Sequence, residues 1–418
     1  MRAPHLVSAL LASGLVAAAL FGWTLYARSV EGRYVHALAA QLFPIKMQGI
    51  ALQAEAFRQQ DLLPLYGSSE FDSFVGPYHA SELFQTFPTG FAVFLVGAGG
   101  TTPLIVLQRM AAIGSELQGK KIAICLSPTF FHGDDRVRQS YYGGNFSVIQ
   151  ANSLAFSSEL SFGLKQEVAR RMVRYPSTLE RSPLLRFSLE RLAENSPINR
   201  ALYYAVFPLG KLQNLILRLQ DHWETLALIR LHPELGIEVP RRPLRPDWSS
   251  LQVDAEREAQ QRSDSNPFGF DNQYWVENGQ RLTSQRGRNS DRLFLQQLSQ
   301  ETDWTDLELL LRGLRELGAQ PLLLSVPIKG VYYDYWGVSA RAREAFYRKL
   351  RSVVAPYDVP LLDFEDHDAD AYFTADDRSH PNQKGWLFYD RALDAFYHDR
   401  LGRSEDRDAR PSGTASSE

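Results

Sequence analysis

Five short apolar runs, Leu62–Tyr66, Phe91–Val96, Lys121–Leu126, Pro321–Val326 and Val359–Phe364, each stop at a turn-forming or polar group. Helical patterns separate them. Pro103–Leu117 is one, and Leu307–Leu317 is another, with Leu307, Leu310, Leu311 and Leu314 on a single face. Strands that alternate with helices predict an α/β fold: an open parallel sheet of about five strands with helices on both faces. The alternation breaks between residues 152 and 300. That stretch is helical in pattern to about Leu231, then charged and rich in Gln, Asn and Pro from Pro240 to Asn289. It is read as a mostly helical or irregular insertion in one domain spanning 61–401, a size that 418 residues readily provide. The tail, 402–418, has no apolar face and is expected to be disordered.

Ahead of the first run, Leu6–Ala27 contains no charged residue and is long enough as a helix to cross roughly 30 Å of hydrocarbon. A cleavable signal peptide usually has an apolar core of only about 7–15 residues, so a retained transmembrane anchor at 6–27 is the expectation. Trp23 and Tyr26 near one end suit the membrane–water interface. Residues 1–5 then form a cytoplasmic leader, and 28–60 a juxtamembrane helical segment that lifts the domain off the membrane. Mean hydropathy of −0.27 excludes a chain lying wholly in the bilayer. With Lys+Arg 45 against Asp+Glu 48 and no basic stretch, nucleic acid is not an expected partner. Cys125 is the one cysteine, which rules out an internal disulfide framework and a multi-thiolate zinc site.

Ligands of open parallel sheets bind at the carboxyl ends of the strands. After the first run stands Gly67-Ser68-Ser69-Glu70-Phe71, where a tight turn sets a serine hydroxyl beside helix-terminal amides. Ser69 can be a nucleophile there, and the same residues also read as a helix cap with an acidic first turn. Phe71 breaks the Gly-x-Ser-x-Gly pattern of α/β hydrolases. Asp376-Asp377-Arg378-Ser379-His380-Pro381 lies near the other end. If a turn enters a helix here, Asp377 and His380, three apart, share a face, and an aspartate so placed can fix an imidazole tautomer. A surface Asp/His pair is the plainer alternative. Gly97-Ala98-Gly99-Gly100-Thr101-Thr102 lacks the third glycine of a dinucleotide loop, so its amides are read as oxyanion donors, Gly99 first. Glu365-Asp366-His367-Asp368 is read as a solvated acidic turn rather than a metal site. No cofactor is expected.

Taken together, Leu65–Phe71, Gly97-x-Gly99-Gly100 and Lys120-Lys121 leading to Ser127-Pro128-Thr129-Phe130-Phe131 resemble the DltD family, the D-alanine transfer proteins of cell-envelope polymers. Asn266-Pro267-Phe268-Gly269, Gly330–Gly337 and Phe373–Trp386 continue the resemblance in colinear order. Thr129-Phe130 stands where the family commonly has Gln-Trp, and His79-Ala80 where it has His-Pro; neither Thr129 nor His79 is given a role. The resemblance implies an SGNH-hydrolase-like (flavodoxin-like) fold, one amino-terminal transmembrane helix and an extracytoplasmic catalytic domain. It implies Ser69 as nucleophile, His380 as general base, Asp377 as its orienter, and the Ser69 and Gly99 amides as the oxyanion hole. The implied activity is transfer of D-alanine, as an ester, to teichoic acid or another surface glycan. Its implied partners are a DltB-like membrane-bound O-acyltransferase and a DltC-like D-alanyl carrier protein. An SGNH esterase or thioesterase, and a non-catalytic scaffold for the same partners, are the alternatives.

Overall fold

The computed structural model describes residues 4–402, apart from 73–74, 133–134, 195 and 237–242. Residues 1–3 of the expected leader and all but the first residue of the expected disordered tail lie outside the described residues.

The five apolar runs form five parallel strands: β1 (Leu62–Gly67), β2 (Ala92–Gly97), β3 (Lys121–Leu126), β4 (Gln320–Ser325) and β5 (Leu361–Leu362). Their order is β2-β1-β3-β4-β5, so the sheet grows one way from β1 to β2 and the other way from β1 to β5. The β1/β2 register runs from Leu62 opposite Ala92 to Gly67 opposite Gly97. β5 is shorter than the expected Val359–Phe364, and Phe364 itself takes a left-handed backbone, φ 49°, that ends the pleat. Strand residues alternate between two cores. Leu62, Tyr66, Phe94, Ile122, Ile124 and Leu323 enter one, and Leu63, Leu65, Val93, Leu95, Cys125 and Leu324 the other. Both faces are dry, which is why each strand reads as an unbroken apolar run.

Six helices place the site and the anchor: α1 (Pro4–Tyr34), α2 (Pro103–Ile113), α3 (Asp135–Asn145), α4 (Pro197–Leu231), α5 (Asn272–Thr283) and α6 (Gln383–Tyr397). α2 packs beneath one face with the helix Asp303–Glu316, and α6 covers the other with Ala80–Thr86. Among the described residues the stretch between β3 and β4 is mostly helical, including Trp248–Gln261 and α5, where the composition suggested irregular chain. Asp247 and Asp271 cap these two helices from their side chains, so polar residues that look like loop are helix starts.

Within α1, Val7–Tyr34 is apolar and long enough to cross a membrane, and none of its most apolar stretch is buried against the domain, which fits a single-pass membrane anchor. The segment after it packs into the domain. Ala51–Phe57 is buried throughout on the β1 side of the sheet, and Lys46 Nζ donates to the Leu38, Ala39 and Gln41 carbonyls at 2.6–2.8 Å. Its helical periodicity reflects core packing, because Ala51–Phe57 faces the sheet.

Candidate active site

β1 lies where the sheet order reverses, and the crevice at such a switch point is where open α/β sheets hold ligands. β1 and β2 end side by side on Gly67 and Gly97. A side chain on Gly97 would run into the Gly67 backbone, and one on Gly67 would strike the Glu70 carboxylate and the Phe71 ring. The closeness lets Ser68 bridge the two strand ends, its Oγ accepting from the Gly100 and Thr101 amides at 2.9 and 3.2 Å. Ser69 opens a 3-10 turn, Ser69–Asp72, and stands half-buried at the crevice.

Ser69 Oγ bonds His380 Nε2 at 2.7 Å, across 311 residues of sequence. The helix-cap reading of this serine pair therefore gives way: one hydroxyl ties strands together and the other meets an imidazole. His380 Nδ1 bonds a carboxylate at 2.7 Å, and that carboxylate belongs to Asp376, not Asp377. The expectation for Asp377 rested on a helical turn. Residues 376–382 instead form a tight loop, pinned by a Thr374–Pro381 bridge and a left-handed Ser379, φ 65°, and α6 begins only at Gln383. In this loop Asp376 Oδ1 accepts from the Arg378 and His380 amides at 2.9 and 3.2 Å, which aims Oδ2 at the imidazole. Asp377 turns to α5, where it accepts from Tyr274 Oη and pairs with Arg281 at 3.0 Å.

Burial pushes the Asp376 pKa up, but its bond to His380, the imidazole charge and the two amides outweigh this and leave it lowered. Burial pushes His380 down, and the bond to Asp376 with the Asp376 and Glu70 charges more than reverses it, leaving the imidazole raised. Glu70, 5% exposed, accepts from the Ser68 amide at 2.8 Å and is itself raised, chiefly by burial. Cys125 lies beside it, buried, with its thiol pushed well up by burial and by the Glu70 charge. A thiol held protonated in this way is no nucleophile.

Gly99 lies against Ser69, its missing side chain 3.8 Å from Ser69 Cβ. Asn145, at the end of α3, holds the Gly99 peptide by donating to Gly99 O at 3.0 Å and Tyr141 O at 3.1 Å, while its Oδ1 accepts from Thr101 Oγ1. Both amide hydrogens of Asn145 are thereby used, so it positions Gly99. Sequence reading missed Asn145 and expected Asp377 where Asp376 meets His380; Gly143-Gly144-Asn145 carried no pattern that points to the loop after β2. A cleft of about 290 Å³ opens beside Asp376 and His380, lined also by Val75, Tyr274, Glu277 and Asn382. Lys329, just before the helix Gly330–Trp336, donates from full burial to the Gly269, Ala371 and Thr374 carbonyls at 2.5–2.9 Å, which ties the chain just ahead of Ala375 and Asp376 to the β4 side. That burial brings the ammonium down to about 7.

The residues left without a role settle into structural positions. Thr129 Oγ1 bonds Ser127 Oγ at 2.7 Å. The His79 ring lies 4.3 Å from the Trp386 ring, and burial brings its imidazole down to about 4. The acidic turn is not simply solvated: Asp368 pairs with Arg343 at 2.7 Å, and His367 stacks on Phe373. Among the described residues no cluster of three or more His, Cys, Asp or Glu is arranged to hold a metal ion.

The family model described as DltD protein matches residues 39–398. Protein DltD of Bacillus subtilis (strain 168) is 28% identical over 382 residues, covering 88% of this chain and 90% of that protein. Protein DltD of Staphylococcus aureus (strain NCTC 8325 / PS 47) is 26% identical over 349 residues, covering 83% and 84%. The match takes in β1 with its Ser69 turn, the whole sheet, the His380 loop and α6 through to its end, and on that extent the chain belongs to the DltD family.

Proposed function

We propose that the protein is a membrane-anchored acyltransferase that moves D-alanine, as an ester, onto a hydroxyl of a cell-envelope polymer, teichoic acid or another surface glycan. The observation that carries this is the Ser69–His380–Asp376 relay, two hydrogen bonds of 2.7 Å. In the first half-reaction Ser69 Oγ attacks the carbonyl carbon of the D-alanyl donor and passes its proton to His380 Nε2. The oxygen that gains charge is met by the Ser69 and Gly99 amides. The donor's leaving group departs with the proton from His380, and an acyl-Ser69 ester remains. In the second, the acceptor hydroxyl gives its proton to His380 and attacks that ester. Ser69 then leaves and recovers the proton. Asp376 keeps the imidazole in the tautomer whose Nε2 can accept, and stabilises the imidazolium in between.

The resemblance implies the rest of this reading: an acyl group delivered by a DltB-like membrane-bound O-acyltransferase from a DltC-like carrier, and a catalytic domain on the extracytoplasmic side. Asp377 has no part in the relay and serves the α5 contact. A cell carrying Ser69→Ala tests the proposal. Ester-linked D-alanine released from its envelope by mild base should fall to the level of a deletion strain, with the variant present at normal abundance. Unchanged D-alanine ester would refute the acyl-Ser69 route and leave the scaffold role. Loss of short-chain ester cleavage in vitro without loss of envelope D-alanine would mark the hydrolase chemistry as incidental.

A further inference from the structure

Helix α4 has two opposed faces. One is buried on the domain through Tyr203, Asn214, Asp221 and Thr225, with Tyr203 Oη donating to Ala155 O and Asp221 accepting from the Ile50 and Ala51 amides, each at 2.7 Å. The other presents Ile198, Leu202, Leu209, Leu212, Ile216 and Trp223, between 40% and 74% exposed. At helical pitch these six fall within roughly 80° of arc and extend for about 37 Å. Scattered exposed apolar residues are ordinary on a protein surface, whereas a continuous stripe of this length marks a contact.

The anchor shows which way the stripe faces. The Trp23 ring of α1 lies 5.6 Å from that of Trp223, and Leu20 and Trp23 share a hollow with Ile216 and Trp223. The domain-facing side of α4 meets the anchor farther along the chain. His222 Nδ1 bonds Glu31 Oε1 at 2.7 Å, and Arg218 shares a cavity with Arg28. α1 leaves its uncharged stretch between these two levels, since Arg28 and Glu31 are the first charges after Ala27. The stripe is therefore turned towards the lipid-embedded part of α1, and the polar side away from it. Trp23 and Trp223 sit where interfacial tryptophans belong.

We propose that α4 lies on the bilayer surface with its apolar stripe sunk into the boundary between headgroups and acyl chains, so that the domain is held to the membrane by a flat second contact besides the α1 span. The continuity of the stripe with the anchor selects lipid as its occupant, because the surface that meets Leu20 and Trp23 is the one that carries on towards Ile198. Such a contact restricts tilting about α1 and keeps the active-site cleft at a fixed orientation to the membrane.

The full chain, reconstituted in phosphatidylcholine/phosphatidylglycerol vesicles, tests this with an environment-sensitive fluorophore on Leu202→Cys and, separately, Leu209→Cys. The buried Cys125 stays unlabelled in the folded protein. Leu15→Cys in the span and Arg348→Cys on an exposed helix position are the references. At positions 202 and 209, lipids with a nitroxide near the headgroup should quench at least about twofold more than lipids with one at the chain end, as for a group about 5–10 Å deep. Position 15 should show the reverse order, and position 348 neither. Quenching at 15 without quenching at 202 and 209 would overturn the proposal. So would labels at 202 and 209 that are open to aqueous quencher in these vesicles but shielded in native membranes, since a protein would then be the occupant. An unquenched label at 15 would remove the anchor and the placement built on it.

Discussion

Replacing Asp376 by Asn separates the two neighbouring aspartates. Oδ1 of Asp376 is held by the Arg378 and His380 amides at 2.9 and 3.2 Å, so an asparagine keeps its carbonyl oxygen there and turns its NH2 towards His380 Nδ1. That NH2 can only donate, which leaves Nδ1 as the acceptor and moves the ring proton to Nε2, the atom that has to take the Ser69 proton. The fold keeps both amide bonds and the third with its direction reversed, so the loss falls on catalysis. In a serine triad the same change of tautomer costs about 10⁴-fold in kcat, or about 5.5 kcal/mol of transition-state stabilisation. Asp377→Asn gives the opposite result. Its carbonyl still accepts from Tyr274, and the lost partner is Arg281, whose side chain is 47% exposed. A pair of this kind is worth about 0–1 kcal/mol, so kcat should stay within about fivefold. The assay is cleavage of a short chromogenic ester by the full chain in detergent, with thermal unfolding alongside. An Asp376→Asn enzyme that keeps a tenth of its kcat, or an Asp377→Asn enzyme that loses as much as Asp376→Asn was expected to, would refute the assignment.

Because the Asp376 bond and the neighbouring negative charges raise the His380 pKa, and the base must be neutral, kcat/KM should rise with pH through a value above the ordinary imidazole figure of about 6.5. In Asp376→Asn the residual activity should rise at lower pH; an unmoved profile would mean that another group titrates. For stability the sign is the reverse: a raised pKa stabilises the fold below the unfolded imidazole value, and that contribution is lost as pH climbs through the folded one. Asn145→Ala removes the donor that holds the Gly99 carbonyl, so kcat should drop with KM near the wild-type value and unfolding free energy should fall by about 1–3 kcal/mol. Full activity in that variant would separate Gly99 from the oxyanion role.

How far the sequence reached depends on the range of the interaction concerned. Strand positions were readable because a sheet dry on both faces demands continuous apolar runs, so Leu62–Tyr66 and Lys121–Leu126 could be bounded almost to the residue. The apolar helix α1, which fits a single-pass anchor, was readable because Leu6–Ala27 carries no charge and none of its most apolar stretch is buried against the domain, so packing does not alter its pattern. Membership of the DltD family followed from short colinear motifs. Tertiary structure decided the rest. Asp376 and Asp377 are chemically identical neighbours, and only the backbone path of a loop, set by a left-handed Ser379 and the Thr374–Pro381 bridge, aims one at His380 and the other at α5. Asn145 acts on Gly99 across 46 residues, a distance at which no local periodicity exists. The apolar stripe of α4 has the spacing of an ordinary amphipathic core helix, and it is distinguished only by what covers it: the opposite face, with Asp221 and Asn214, is the one turned into the domain. Sequence fixes which side chains a helix carries on each face; which face finds protein and which is left for solvent or lipid depends on how the neighbouring elements pack.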